Sequence, residues 1–142
     1  MKPLYTASAT TRHGGRNGGH GETSDGRLAH DFSMPTELGG PGGPGTNPEQ
    51  LVALGYSACF GSALAFVAGQ DKIALPAETA VTVRLAMGKN DTGGFAFEFA
   101  VEAALPGMDR AKAEALVAKA HQVCPYSNAF RNGAPTTATL AA

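Results

Sequence analysis

The amino-acid sequence predicts an α+β fold, an antiparallel β-sheet packed on a long buried central helix and on a second helix. Three observations carry this. A nearly continuous apolar run at 51–68 follows a strong helix start. Two alternating runs, 79–87 and 95–102, flank a glycine-containing turn. Residues 109–122 repeat apolar positions at helical spacing.

Taken in order, residues 4–11 are rich in small and β-branched side chains and read as a strand. The turn-rich stretch His13-Gly14-Gly15-Arg16-Asn17-Gly18-Gly19-His20 follows, so a hairpin is expected. Ser24-Asp25-Gly26-Arg27 makes a second tight turn, and residues 28–34 read as another strand. The run Leu38-Gly39-Gly40-Pro41-Gly42-Gly43-Pro44-Gly45 holds too much glycine and proline for a regular element and reads as an irregular connection. In Thr46-Asn47-Pro48-Glu49-Gln50, Asn47 is placed as N-cap, Pro48 at the first helical position and Gln50 three residues past the cap. The helix that follows, to about residue 68, is apolar nearly all round, which marks burial on more than one side. A chain of 142 residues has limited material to cover such a helix, and self-association is a simple remedy. Thr79, Val81, Val83, Leu85 and Met87 alternate along one strand; Phe95, Phe97, Phe99 and Val101 alternate along its hairpin partner across Asn90-Asp91-Thr92-Gly93-Gly94. Asp109 caps the second helix, and residues 135–140 are expected to close the sheet as a last short strand.

Composition narrows the function. With 43% apolar residues and a formal charge of -1, residues 1–142 read as one domain with a real core. Lys and Arg total 11 against 12 acids and do not cluster, and aromatics are few, so no nucleic-acid partner is expected. The 51–68 run has the length of a short membrane span. It carries Tyr56, Ser57, Ser62 and many small residues, however, and reads as a central helix with no membrane partner. The N-terminus has no basic segment followed by an apolar run, so a cytoplasmic, reducing setting is expected, where cysteines are used transiently.

There are two cysteines. Cys59 lies in Gly55-Tyr56-Ser57-Ala58-Cys59-Phe60, inside the apolar helix, and Cys124 in Val123-Cys124-Pro125-Tyr126-Ser127-Asn128-Ala129, just past the second helix. A thiol oxidised to a sulfenic acid needs a second thiol to trap it as a disulfide, and this chain supplies one such partner. Cys59 attacking and Cys124 resolving is therefore the working reading. Against it, a free cysteine in an apolar helix is commonly just a small hydrophobe, and Cys124 before Pro125 also serves as a helix stop. A thiolate in an apolar helix needs a cation or a helix N-terminus to stabilise it. Arg16, in its glycine-rich loop, is the candidate, and a solvated loop tip is the alternative. A buried Arg16 needs a carboxylate, for which Glu49 is the candidate, although an acid in the first helical turn also complements the helix dipole. Ten residues of straight helix separate Glu49 from Cys59 by about 15 Å, which excludes direct contact within one chain. Either Arg16 spans the gap, the helix breaks near Gly55, or two subunits cross. The spacing His121-x-x-Cys124 resembles a metal-ligand pair, and Cys59, His13, His20 or His30 could add to it, but no second closely spaced pair exists and no metal is assigned. The 14–19 loop lacks the Gly-Lys-Ser/Thr ending of a phosphate loop.

Together, Tyr5-Thr6-Ala7, Gly15-Arg16-Asn17-Gly18, Leu38-Gly39-Gly40, Gly45-Thr46-Asn47-Pro48-Glu49-Gln50-Leu51 and the two cysteine motifs resemble the bacterial organic hydroperoxide resistance proteins, within the superfamily of the osmotically induced protein C. The likeness runs in order over essentially the whole chain. It implies an intertwined homodimer with two sites at the subunit interface, acting as a thiol peroxidase that protects against oxidative stress. By motif, it implies Cys59 as the peroxidatic nucleophile, Cys124 as the resolving thiol, and Arg16 with Glu49 as the activating pair. It further implies organic or fatty-acid hydroperoxides as substrate, a dithiol reductant borne by a lipoyl protein, and no cofactor. A pocket preferring an organic tail could draw on Phe60, Phe95, Phe97 and Met34. The competing reading is a non-enzymatic redox-sensing or ligand-binding dimer.

Overall fold

In the computed structural model, which describes residues 1–141, the chain forms two compact units, 1–51 and 52–142. The first holds a three-stranded antiparallel sheet in the order β1 (Ala9–Arg12), β2 (His20–Thr23), β3 (Ala29–Asp31). β1 is shorter than the expected 4–11 strand because its partner runs out. Ala9 pairs with Thr23, after which Asp25 and Gly26 (φ +70) turn the chain away, and the Ser24 N–H to Ser8 carbonyl bond is the last rung. β3 likewise ends at Asp31, before the expected residue 34. Beyond it, Phe32 bridges in parallel to Thr46, and the Gly40 and Gly42 amides fold back on the Pro35 and Met34 carbonyls. The glycine- and proline-rich connection is irregular apart from one 3-10 turn at Thr36–Leu38.

Helix α1 (Pro48–Gln70) starts where local chemistry places it. Asn47 Oδ1 accepts the Gln50 amide at 2.9 Å, and Pro48 follows the cap. The Gln50 side chain takes the Thr46 hydroxyl at 2.9 Å instead of reaching back to the cap amide.

The second unit is built from the body of α1, the hairpin β4 (Ala80–Lys89) and β5 (Phe95–Ala104), α2 (Arg110–Val123) and α3 (Pro125–Asn132). The hairpin is in full register from Ala80 opposite Ala104 to Lys89 opposite Phe95, closed by Asn90, whose side chain accepts the Thr92 and Gly94 amides. The architecture is thus α+β with three helices and two antiparallel sheets, where a single sheet was expected. Tyr56, Phe60, Leu64 and Val67 fall on one face of α1 and pack with Leu116, Ala120 and Cys124 from the α2 side and with Val83, Phe99 and Val101 from the hairpin. Phe60, Leu64 and Leu116 are fully buried, each worth about 1.5–3 kcal/mol in burial alone. α1 is long and apolar enough to cross a bilayer, yet this face forms the interior of the unit. Its other side stays open in one chain, with Leu54 66% and Phe66 58% exposed.

The expected strand at 135–140 does not form. Gly133, at φ +78, ends α3, Pro135 brings no N–H, and among the described residues no backbone ladder ties this segment to either sheet; Leu140 is fully exposed.

Candidate active site

The two cysteines, 65 residues apart in sequence, meet inside the second unit with their sulfurs 3.7 Å apart. Cys59 projects from the middle of α1. Cys124 sits at a break between helices. Its extended backbone (φ -64, ψ 123) makes it at once the C-cap of α2 and the N-cap of α3, with Pro125 opening the new helix. Its amide still bonds the Ala120 carbonyl, and its carbonyl accepts the Asn128 amide, so both helices are anchored through this one residue. Both thiols are free; Cys124 is fully buried and Cys59 half-buried. A disulfide needs sulfurs about 2.05 Å apart, so bond formation requires the two to close by about 1.7 Å from 3.7 Å.

Burial pushes the Cys59 thiol above its ordinary pKa. The backbone N–H of Tyr126, in the first turn of α3, faces its sulfur and pulls the other way, while the Cys124 thiol pushes it up further. Within its own unit Cys59 is therefore held as a neutral thiol, and the reactive thiolate calls for an added cation.

The candidate cation, Arg16, has a defined position in the first unit. Arg16 lies in the loop between β1 and β2, where Gly14 (φ +94) and Gly15 (φ +58) adopt left-handed backbone that side chains disfavour. Its guanidinium makes a two-pronged pair with Glu49, Nη1 to Oε2 at 2.9 Å and Nη2 to Oε1 at 2.6 Å. The side chains are only 28% and 15% exposed, so Arg16 is not a solvated loop tip. The Glu49 hydrogen bond raises the Arg16 pKa against the opposing effect of burial. For Glu49, burial pushes the carboxyl up, but the Arg16 hydrogen bond, its backbone amide and the Arg16 charge together hold it below its ordinary value. The pair is fully ionised at neutral pH.

Two polar residues of this unit, Tyr56 and Ser127, were given no role by the sequence. The Ser127 hydroxyl, 1% exposed, lies 2.8 Å from the Tyr56 hydroxyl and 3.1 Å from His121 Nδ1. His121, read above as half of a ligand-like pair with Cys124, bonds Ser127 here. Among the described residues no three His, Cys, Asp or Glu side chains converge as metal ligands. The Tyr126 ring stacks on Tyr56 at a centroid distance of 5.6 Å. It passes so close to α1 that a Cβ on Gly55 would lie 2.7 Å from its hydroxyl, which explains the glycine one residue before Tyr56. A pocket of about 440 Å³ opens nearby, lined by Phe60, Phe99, Val101, Phe130 and the His121 side. Of the aromatics expected in a pocket Phe60 lines it, whereas Phe95 and Phe97 do not and are 69% and 43% exposed.

Residues 40–139 match the family model of the OsmC-like proteins. An organic hydroperoxide resistance protein of Xanthomonas axonopodis pv. citri is 51% identical over 140 residues, 99% of this chain and 96% of that protein. OhrB of Bacillus subtilis, also named an organic hydroperoxide resistance protein, is 44% identical over 90% of this chain and 91% of its own length. Among solved structures, an organic hydroperoxide resistance protein from Legionella pneumophila superposes with a TM-score of 0.85 at 51% identity, covering 93% of each chain.

Proposed function

The chain belongs to the OsmC-like family, among the organic hydroperoxide resistance proteins, and from that premise we propose that it is a cysteine-based peroxidase reducing organic hydroperoxides to alcohols. The observation that carries the reading is the 3.7 Å approach of a half-buried thiol to a fully buried one.

In the proposed cycle the Cys59 thiolate attacks the terminal oxygen of ROOH. The O–O bond breaks, an S–O bond forms, and the alcohol leaves with a proton, giving Cys59 sulfenic acid. The Cys124 sulfur then attacks Cys59, an S–S bond replaces the S–O bond, and water departs with the thiol proton. A dithiol, with a lipoyl-bearing protein as the proposed donor, reduces the disulfide and is itself oxidised to a disulfide, restoring both thiols. Arg16, held by Glu49, supplies the positive charge that Cys59 lacks in its own unit. α1 runs unbroken through Gly55, so Glu49 does not touch Cys59 of its own chain. Of the two arrangements left, Arg16 spanning the gap or two subunits crossing, the proposed cycle uses the first, with Glu49 acting through Arg16. The open face of α1 supports assembly as a homodimer, and a reducing cytoplasm is the proposed setting. Pocket aromatics such as Phe60 favour an organic tail over hydrogen peroxide.

The test is a thiol count on reduced protein before and after one equivalent of an organic hydroperoxide, with non-reducing mass analysis. Loss of both thiols within one chain as a Cys59–Cys124 disulfide, followed by many turnovers when dithiol is supplied, is the expected result. Survival of both thiols would overturn the assignment, and a disulfide that forms once without dithiol-driven turnover would leave a redox sensor instead.

A further inference from the structure

We propose that Tyr56, Ser127 and His121 form a positioning network for the resolving step, clamping three helices so that the Cys124 sulfur is held against Cys59. This rests on the peroxidase reading above and concerns its second step alone. The spacing is the first argument. Tyr56 precedes Cys59 by three residues on α1, His121 precedes Cys124 by three on α2, and Ser127 follows Cys124 by three on α3. Tyr56 therefore lies about one helical turn from Cys59 on the same side of α1, and His121 and Ser127 each stand three residues from Cys124, which caps both of their helices. Ser127 Oγ, within hydrogen-bond reach of both the Tyr56 hydroxyl and His121 Nδ1, is the single point where the three helices are tied.

The second argument is what fixes α3 otherwise. Its N-cap is Cys124 itself, and no side chain caps the helix there. The chain bends at one extended residue, which leaves the first turn of α3 free to rotate about that residue unless something holds it. The Asn128 side chain, donating to the Gln122 carbonyl at 3.1 Å, and the Phe130 ring, stacked on Phe99, hold α3 further along; in its first turn the Ser127 hydrogen bonds and the Tyr126–Tyr56 stack are the restraints that lead back to the helix carrying Cys59. Ser127 and Tyr56 are 1% and 3% exposed, so water cannot easily replace a lost partner. The same turn carries the Tyr126 amide that faces the Cys59 sulfur.

Condensation of the sulfenic acid with Cys124 has to outrun further oxidation by hydroperoxide, so it depends on sulfur placement, and a misplacement of about 1 Å costs up to about 100-fold. The variants are Tyr56→Phe, which removes one oxygen and keeps the ring, and Ser127→Ala. Two rates are read on each folded variant: Cys59 oxidation in a single turnover with cumene hydroperoxide, and disulfide formation against sulfinic acid by mass. The expected result is disulfide formation slowed roughly 10-fold or more relative to Cys59 oxidation in the same variant, and a larger sulfinic fraction as peroxide rises. His121→Asn, which keeps a polar group near the Nδ1 position, is expected to resolve faster than His121→Ala, an order that general loosening of the core would not produce. Unchanged disulfide formation in Tyr56→Phe and Ser127→Ala would overturn the network while leaving the peroxidase standing. Absence of any disulfide in the unsubstituted protein would remove the peroxidase reading itself.

Discussion

Glu49→Gln isolates the activating pair with the least change of shape. Glutamine fills the same volume and keeps one acceptor oxygen for Arg16, but loses the charge and one of the two bonds at 2.6 and 2.9 Å. Fully exposed ion pairs are worth about 0–1 kcal/mol and charge-assisted buried bonds about 1.5–3 kcal/mol. With side chains 28% and 15% exposed, the loss falls in the lower half of the second range, at about 2 kcal/mol. Arg16 sits in a loop with left-handed glycines on both sides, Gly15 and Gly18, so nothing stiff in the backbone compensates. If the docked arginine is the state that activates Cys59, a loss of about 2 kcal/mol lowers its weight by up to about 30-fold. The second-order rate of Cys59 oxidation, measured by stopped flow with an organic hydroperoxide, should therefore fall roughly 10- to 30-fold. Arg16→Ala should fall at least as far, and the double variant should be no slower than Arg16→Ala, because Glu49 acts only through Arg16. The pH dependence supplies a second axis. Burial, and to a lesser degree Cys124, raise the Cys59 pKa, against the pull of the Tyr126 amide. Without Arg16 the rising limb of rate against pH should move to higher pH, because only the thiolate reacts and its share falls about tenfold per unit below the pKa. A Glu49→Gln rate within twofold of the unsubstituted protein, or a double variant slower by the full product of the two effects, would refute the coupling and return Glu49 to an ordinary role at the helix N-terminus.

Cys124→Ser should consume one equivalent of hydroperoxide and then stop, with added peroxide driving Cys59 to the sulfinic acid, visible as a gain of two oxygens by mass; sustained dithiol-dependent turnover would rule out Cys124 as the resolving thiol. Leu54→Glu places a charge on the open side of α1, where the residue is 66% exposed, so the chain's own fold should tolerate it while sedimentation shifts from dimer to monomer; an unchanged dimer would move the interface elsewhere.

What the sequence disclosed and what it withheld divide along the range of the interactions. The start of α1 was legible because its chemistry is contained in Thr46 to Gln50, and Asn47 caps it as the residue types require. The β4–β5 hairpin was legible because alternation and turn lie within one short stretch. The true lengths of β1 and β3 depended on where a partner strand ended, and the failure of 135–140 to form a strand depended on a ladder it never makes. Neither is written in local propensity. Glu49 was found as the partner of Arg16, 33 residues away, because a buried guanidinium demands a carboxylate and Glu49 stands in the first turn of the helix that carries Cys59. Ser127 and Tyr56, 71 residues apart, carried no such demand, since a serine and a tyrosine each have many unremarkable ways to be satisfied.

The two steps of the proposed reaction are provided for unequally within the chain. Residues 52–141 hold what resolution needs: the buried Cys124 sulfur at 3.7 Å and the helix junction that keeps it there. They also disfavour the first step, because the same burial that shields Cys124 holds Cys59 protonated. The charge that would reverse this belongs to residues 1–51, already paired with its own carboxylate and so preorganised to act with little ordering cost. On the proposed mechanism the nucleophile requires Arg16 beside Cys59, whereas the Cys124 sulfur that would trap the sulfenic acid already lies 3.7 Å from Cys59. That order protects the thiol: whenever Cys59 is activated, a resolving sulfur is already within reach, and over-oxidation must compete with an intramolecular reaction rather than with a search for a partner.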